Sequence, residues 1–107
     1  MTIPARSDEQ RAQALEAALA VRMEKARLRA ELKSRAMSGV DVIEGAAENR
    51  LWAGVKVSWL LECLPGVGEV RADRILSELQ IAPSRRIQGL GTRQRAALIA
   101  ELRREGR

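Results

Sequence analysis

Apolar residues recur with helical spacing along most of the chain, and nowhere do they alternate as a half-buried strand would require. The first stretch is the longest. Ser7, with Gln10 three residues on, reads as a capping box, and neither Gly nor Pro interrupts the chain before Gly39, so the pattern predicts a helix of about thirty residues. At about 100° per residue, Leu15, Leu19, Met23, Ala26 and Ala30 share one sector and Val21, Leu28 and Leu32 a second. Arg22, Lys25, Arg29 and Lys33 lie between these sectors. Glu16, Glu24 and Glu31 fall on roughly the opposite face, where Arg27 and Arg35 stand at pairing distance from Glu24 and Glu31.

Shorter elements follow. Ser38 and Asp41 form an S-x-x-D cap for a second helix through Val42, Ile43, Ala46 and Ala47. From Glu48 to Gly54 the periodicity is lost around Leu51 and Trp52, and a loop or irregular turn is expected. Val57, Leu60, Leu61 and Leu64 make a helix face that stops at Pro65, and Val70 to Leu79 make the next, with Ile75, Leu76 and Leu79 inward. Ala82-Pro83 allows one helical turn through Arg86, and Thr92 is placed to N-cap a last helix that buries Leu98, Ile99 and Leu102. The fold class is therefore all-α: a long N-terminal helix followed by a compact bundle of short helices. We read one domain, with an N-terminal arm over 1–40 and a bundle over 41–107.

Composition narrows the chemistry. Seventeen of the 107 residues are Ala and both Phe and Tyr are absent, so the core is thin and aliphatic. There is no His, which removes imidazole metal sites, His-based triads and the commonest general base. The single Cys63 excludes an intramolecular disulfide and a cysteine zinc site, and with nothing basic within five residues it reads as a small buried apolar group. Neither an enzyme, a metal nor a cofactor is expected. No apolar run approaches the roughly 18 residues of a membrane span, and MTIPARSDEQ lacks an apolar leader, so a reducing cytoplasmic setting is expected. The net charge of +5 points to polyanionic partners. That charge is segregated: 8 bases and 5 acids over 1–40, 2 and 4 over 41–68, 9 and 5 over 69–107.

Two turns in the last segment carry the chemistry. In Leu64-Pro65-Gly66-Val67-Gly68, Pro65 ends one helix, the glycines permit a tight turn with positive φ, and Val67 plugs the turn into the core before the next helix opens. Backbone N–H groups at such a start lack intrahelical partners and can receive a phosphate oxygen. Gly89-Leu90-Gly91-Thr92 repeats the device. The first turn leads into Arg71 and Arg74, the second into Arg93 and Arg95. Between the turns sits Ser84-Arg85-Arg86, an Arg pair with no acid within five residues on either side, suited to bidentate phosphate contacts. Trp52 and Trp59 could stack on unpaired bases but are expected in the core. The stripe Arg22, Lys25, Arg29 and Lys33 reads either as a solvated helix face or as a second nucleic-acid surface; an anionic membrane fits it poorly, because the flanking sectors lack Trp and Phe.

The segment LPGVGEVRADRILSELQIAPSRRIQGLGTRQRAAL resembles the helix-two-turn-helix of the actinobacterial integration host factors, small nucleoid-associated DNA-binding proteins. SDEQRAQALEAALAVRMEKARLRAELKSR is similar to their long N-terminal helix, so the resemblance covers about 100 residues. It implies a chain that is monomeric in solution and binds the backbone of double-stranded DNA in the nucleoid, bending or condensing it with little sequence preference. The contacts it implies are Gly66, Val67, Gly68, Arg71, Arg85, Arg86, Gly89, Gly91, Thr92 and Arg93, with Lys56 as a lesser one. Three positions depart from the family pattern: Glu69 where a Lys usually follows the first turn, Gln88 where a third Arg is frequent, and Gly54 where Lys is frequent. Weaker binding or a shifted footprint is the expected consequence. Similar turns also occur in a ribosomal small-subunit protein of the S13 type and in some DNA glycosylases. The alternative function is therefore an RNA- or ribosome-associated binder. The long basic tail of the ribosomal protein is missing, and Met1-Thr2-Ile3 offers no catalytic proline.

Overall fold

The computed structural model describes residues 7–107, so the readings made on the first six residues lie outside the described residues. Ser7 caps α1 (Asp8–Lys33) reciprocally: its hydroxyl accepts from the Gln10 N–H, and Gln10 Oε1 accepts from the Ser7 N–H. Ser38 and Asp41 form the same reciprocal pair at α2 (Gly39–Gly45), after which Ala46–Glu48 tighten into a 3-10 turn.

The expected loop over Glu48–Gly54 is corrected by the structure. Asn49 Oδ1 accepts from the Trp52 N–H and starts α3 (Arg50–Gly54). Five residues make little more than one turn, too few for a period to show. The helix is fixed from outside: the Trp52 ring lies on Gly45, where a Cβ would stand 2.6 Å from a ring carbon. Then follow α4 (Val57–Cys63), α5 (Glu69–Glu78), a 3-10 turn at Ile87–Gly89 and α6 (Thr92–Arg104). The helical turn expected through Arg86 is also corrected. Ala82–Arg85 form a β-turn closed by the Arg85 N–H on the Ala82 carbonyl at 2.9 Å, and Arg86 is extended (φ −92°, ψ 160°). The cause is again tertiary. Two backbone bonds, Val57 N–H to the Arg85 carbonyl at 2.9 Å and Ile87 N–H to the Val55 carbonyl at 3.0 Å, hold Arg86 opposite Lys56.

Among the described residues the fold is all-α, with six helices and no strand. One core joins every layer: Leu28 and Leu32 from α1 meet Val42 and Ile43 of α2, Leu60 and Leu61 of α4, Ile75 and Leu76 of α5, and Leu98 and Leu102 of α6. Each such leucine contributes about 1.5–3 kcal/mol by leaving water. N-terminal to Leu28 the helix leaves this core. Leu15 is 62% exposed and Met23 72%, with Leu19 and Val21 also in solvent, so neither apolar sector is covered along the arm. At 1.5 Å per residue the stretch from Asp8 to Leu28 extends about 30 Å, which makes the molecule 59 Å long against 29 × 27 Å across. Among the described residues, Arg27 and Arg35 do not form the expected pairs with Glu24 and Glu31. Arg35 lies beyond the helix end in the left-handed region (φ 66°).

Candidate nucleic-acid interface

The first turn is built as its residues dictate. Leu64 ends α4 in extended backbone, Gly66 takes φ 73°, and the Val67 N–H returns to the Leu64 carbonyl at 3.2 Å while its side chain is buried. Gly68, expected to share the positive φ, instead has φ −90° and ψ −179°, ordinary extended backbone. Its service is space: a Cβ there would meet nothing within 4 Å. No side chain caps α5, and its first intrahelical bond is Ala72 N–H to the Gly68 carbonyl at 2.9 Å. The N–H groups of Glu69, Val70 and Arg71 therefore face outward at the positive end of the helix.

The second turn has the same plan with different fastenings. Half-buried Leu90 is the plug, packed against the core, and α6 opens on Gly91. Thr92, expected as the N-cap, is the first helical residue, because Gly91 already holds the extended cap conformation. The side chain that fixes this end is Gln94. Its Oε1 accepts from the Gly91 N–H at 3.1 Å and its Nε2 donates to the Gln80 carbonyl at 2.8 Å, tying the second turn to the end of α5. Gln80 offers that carbonyl from a left-handed cap (φ 56°), where the Ile81 N–H closes on the Leu76 carbonyl at 2.8 Å.

Between the turns the Arg pair stands on a braced ridge. Arg85 Nη1 donates to the Gly89 carbonyl at 3.0 Å, and Arg86 Nη1 donates to the Gly54 carbonyl. Each guanidinium keeps further donors in solvent. Lys56 is exposed on the facing segment. Among the described residues, Lys56, Arg85, Arg86, Arg93 and Arg95 make no ion pair. The first-turn side differs. Arg71 is held by the Glu105 carboxylate, Glu69 sits at the first helical position, and further along α6 Arg104 pairs with Glu101. Arg104 beside Glu101, hydrogen-bonded to it, holds that carboxyl below the usual carboxylate range.

Part of the stripe on α1 passes beside α4. Lys25 Nζ lies 5.0 Å from the Trp59 ring centroid, a cation–π contact, while Arg29 and Lys33 are close enough to Cys63 for their charge to be felt there. The two helices thus run in the same direction. Trp52 and Trp59 are partly buried against the core, and Cys63 is fully buried, which pushes its thiol pKa up. Among the described residues no group of three carboxylate or thiol side chains could hold a metal ion, and no helix is long and apolar enough to cross a membrane.

Comparison with known proteins fits this geometry. Residues 32–102 match the S13-like H2TH domain, which is the bundle with both turns and the end of α1. The chain is 48% identical over 99 residues to the integration host factor of Mycobacterium tuberculosis, covering 92% of this chain and 94% of that protein. It belongs to the integration host factor family. The integration host factor of Streptomyces coelicolor is likewise 48% identical, over 101 residues and 94% of each chain. A solved structure of sIHF bound to an 8-base-pair palindromic DNA superposes with a TM-score of 0.77 at 46% identity, covering 81% of this chain and 98% of that one.

Within this integration host factor fold, both turns and the Arg pair fall on exposed backbone or side chains, except for the buried plug Val67 and the half-buried plug Leu90. Three residues that shape the site were not anticipated: Gln94, Glu105 and Arg107. Gln94 had a signal, a Gln three residues after a capping glycine. Glu105 and Arg107 had none, because their partners lie 34 and 42 residues away.

Proposed function

We propose that this chain is a non-enzymatic, nucleoid-associated protein that grips the phosphate backbone of double-stranded DNA with little sequence preference, and bends or compacts it. The grip consists of the Gly66–Gly68 and Gly89–Thr92 turns, the Arg85–Arg86 ridge, Lys56 and Arg93, with Arg71 as an outlying contact. The observation that carries this reading is the braced ridge: two arginines held by backbone carbonyls between two helix starts, with no acid drawn to them among the described residues. The sIHF complex supports a duplex as the partner. Backbone-directed donors read charge and spacing rather than base edges, so any sequence preference comes from how easily a site deforms. Arg22, Lys25, Arg29 and Lys33 extend the positive surface along the arm and form a second contact for a duplex held at the ridge. The protein works as a monomer in the cytoplasm.

A mobility-shift titration on random duplex DNA and on matched duplex RNA, at low and moderate salt, tests this reading with Arg85→Ala/Arg86→Ala alongside. Tight DNA binding that falls with salt and collapses in the double variant is expected. Equal or tighter binding to RNA, or a double variant that binds as well as the parent, would return the two turns to the ribosome-associated class or to another partner.

A further inference from the structure

Behind the first turn the side chains of Glu105 and Arg107 share a small, nearly dry site, and Arg71 stands at its exposed edge. The Glu105 side chain is 9% exposed. Arg71 Nη2 donates to its Oε1, and Arg107 Nε lies 3.7 Å from that same oxygen. Arg107 is immobilised: its side chain is 10% exposed, Nη1 donates to the Pro65 carbonyl, the main-chain N–H binds the Leu102 carbonyl at 2.7 Å, and its carbonyl accepts from the Gly39 N–H at 2.7 Å. Two buried atoms are left without hydrogen-bond partners, and they belong to these neighbours: Glu105 Oε2 and Arg107 Nε. Arg71, by contrast, is 47% exposed and stands in the first turn of α5, within reach of anything that docks on the outward N–H groups.

We infer that Glu105 is a transferable counter-ion for the first turn: in the free protein it holds Arg71, and when a phosphodiester docks it releases Arg71 to the phosphate and closes on Arg107 instead. The inference rests on the DNA-backbone reading above. Its physical basis is that a nearly buried carboxylate cannot be left unpaired without a large penalty, so a residue that gives up one guanidinium must have another at hand. Arg107 supplies it, already in place and with an unused donor facing the site. Arg71 then changes partner, carboxylate for phosphate. The first turn's affinity is accordingly the difference between two ion pairs rather than the whole of one. Because Arg107 also holds the Pro65 carbonyl, closing Glu105 on it tightens the turn as the duplex arrives.

The test is a salt titration of random-sequence duplex binding by the full chain, comparing the parent with Glu105→Gln, Arg71→Ala and the double variant, each checked for unchanged helix content. Glu105→Gln frees Arg71 and should tighten binding about two- to fivefold at moderate salt, the range of one partly exposed ion pair. That gain should vanish in the Arg71→Ala background. Where Glu105→Gln loses helix content, Glu105→Asp keeps a charge for Arg107 but withdraws it from Arg71, and should show the same Arg71-dependent gain. If Glu105→Gln binds no better than the parent while Arg71→Ala binds worse, Arg71 contacts DNA without leaving Glu105, and the exchange is overturned. If Arg71→Ala binds as the parent while Arg85→Ala/Arg86→Ala does not bind, the inference fails and the grip stands. A parent that does not bind the duplex removes the grip itself.

Discussion

The two turns share a plan of glycine, apolar plug, glycine and helix start, yet they are fastened and charged differently. The first is held by the backbone of Gly66 in the left-handed region and by Arg107 on the Pro65 carbonyl, and its outlying Arg71 is neutralised by Glu105. The second needs no unusual φ; Gln94 and Arg85 hold it with side-chain hydrogen bonds, and Arg85, Arg86, Arg93 and Arg95 are unopposed by acids among the described residues. Similar sequence devices therefore divide the work. In the grip proposed above, the first turn contributes shape and a masked charge, and the second contributes the electrostatic attraction for the duplex backbone.

The largest break in this comparison comes from Arg85→Ala/Arg86→Ala. Losing two unopposed phosphate contacts should lower duplex affinity about 10- to 100-fold at moderate salt and flatten the log–log salt slope by about two, whereas Arg71→Ala should flatten it by about one or less. Isothermal titration at three salt concentrations reads both numbers. Stability should divide the other way. Gly66→Ala places a Cβ at φ 73° and should cost about 1–2 kcal/mol, a fall in thermal midpoint of several degrees; Gly91→Ala, at φ −68°, should leave the melting curve almost unmoved. Equal shifts for both would mean that the turns are fastened alike.

Restoring charge sharpens the contrast more gently. Glu69→Lys removes a carboxylate from the outward N–H groups, and Gln88→Arg adds a third base to the ridge; each should steepen the salt slope by about one and tighten binding severalfold. No gain from either would show that added charge at these positions does not reach the duplex. Gly54→Lys belongs to the same set, since a Cβ there meets nothing within 4 Å. The smallest effect is expected from Gly68→Ala, which has room and an ordinary φ and should melt as the parent does. Any loss of affinity it shows measures how closely the phosphodiester approaches the first turn.

Much of this molecule was legible in the chain because its rules are local. Both serine capping boxes, the stop at Pro65, the buried Val67 and the left-handed Gly66 follow from residues within a few positions of one another. The failures share a cause as well. Helix α3 exists because Trp52 packs on Gly45, Arg86 is extended because Val55 and Val57 bond across it, and Gln94 caps with help from Gln80. The cluster of Arg71, Glu105 and Arg107 spans more than thirty residues, beyond the reach of any local pattern.

The exposed arm carries a last consequence, one of occupancy. Some 30 Å of helix is about nine base pairs of B-form duplex, at 3.4 Å for each step along a strand. The bundle that bears the grip is itself only 27–29 Å across the short axes. With the arm laid along the duplex as proposed, two molecules seated in tandem either interleave their arms or leave a gap as long as the grip itself. On the proposed binding mode, how densely the protein covers a duplex is set by the part of the chain that buries almost nothing.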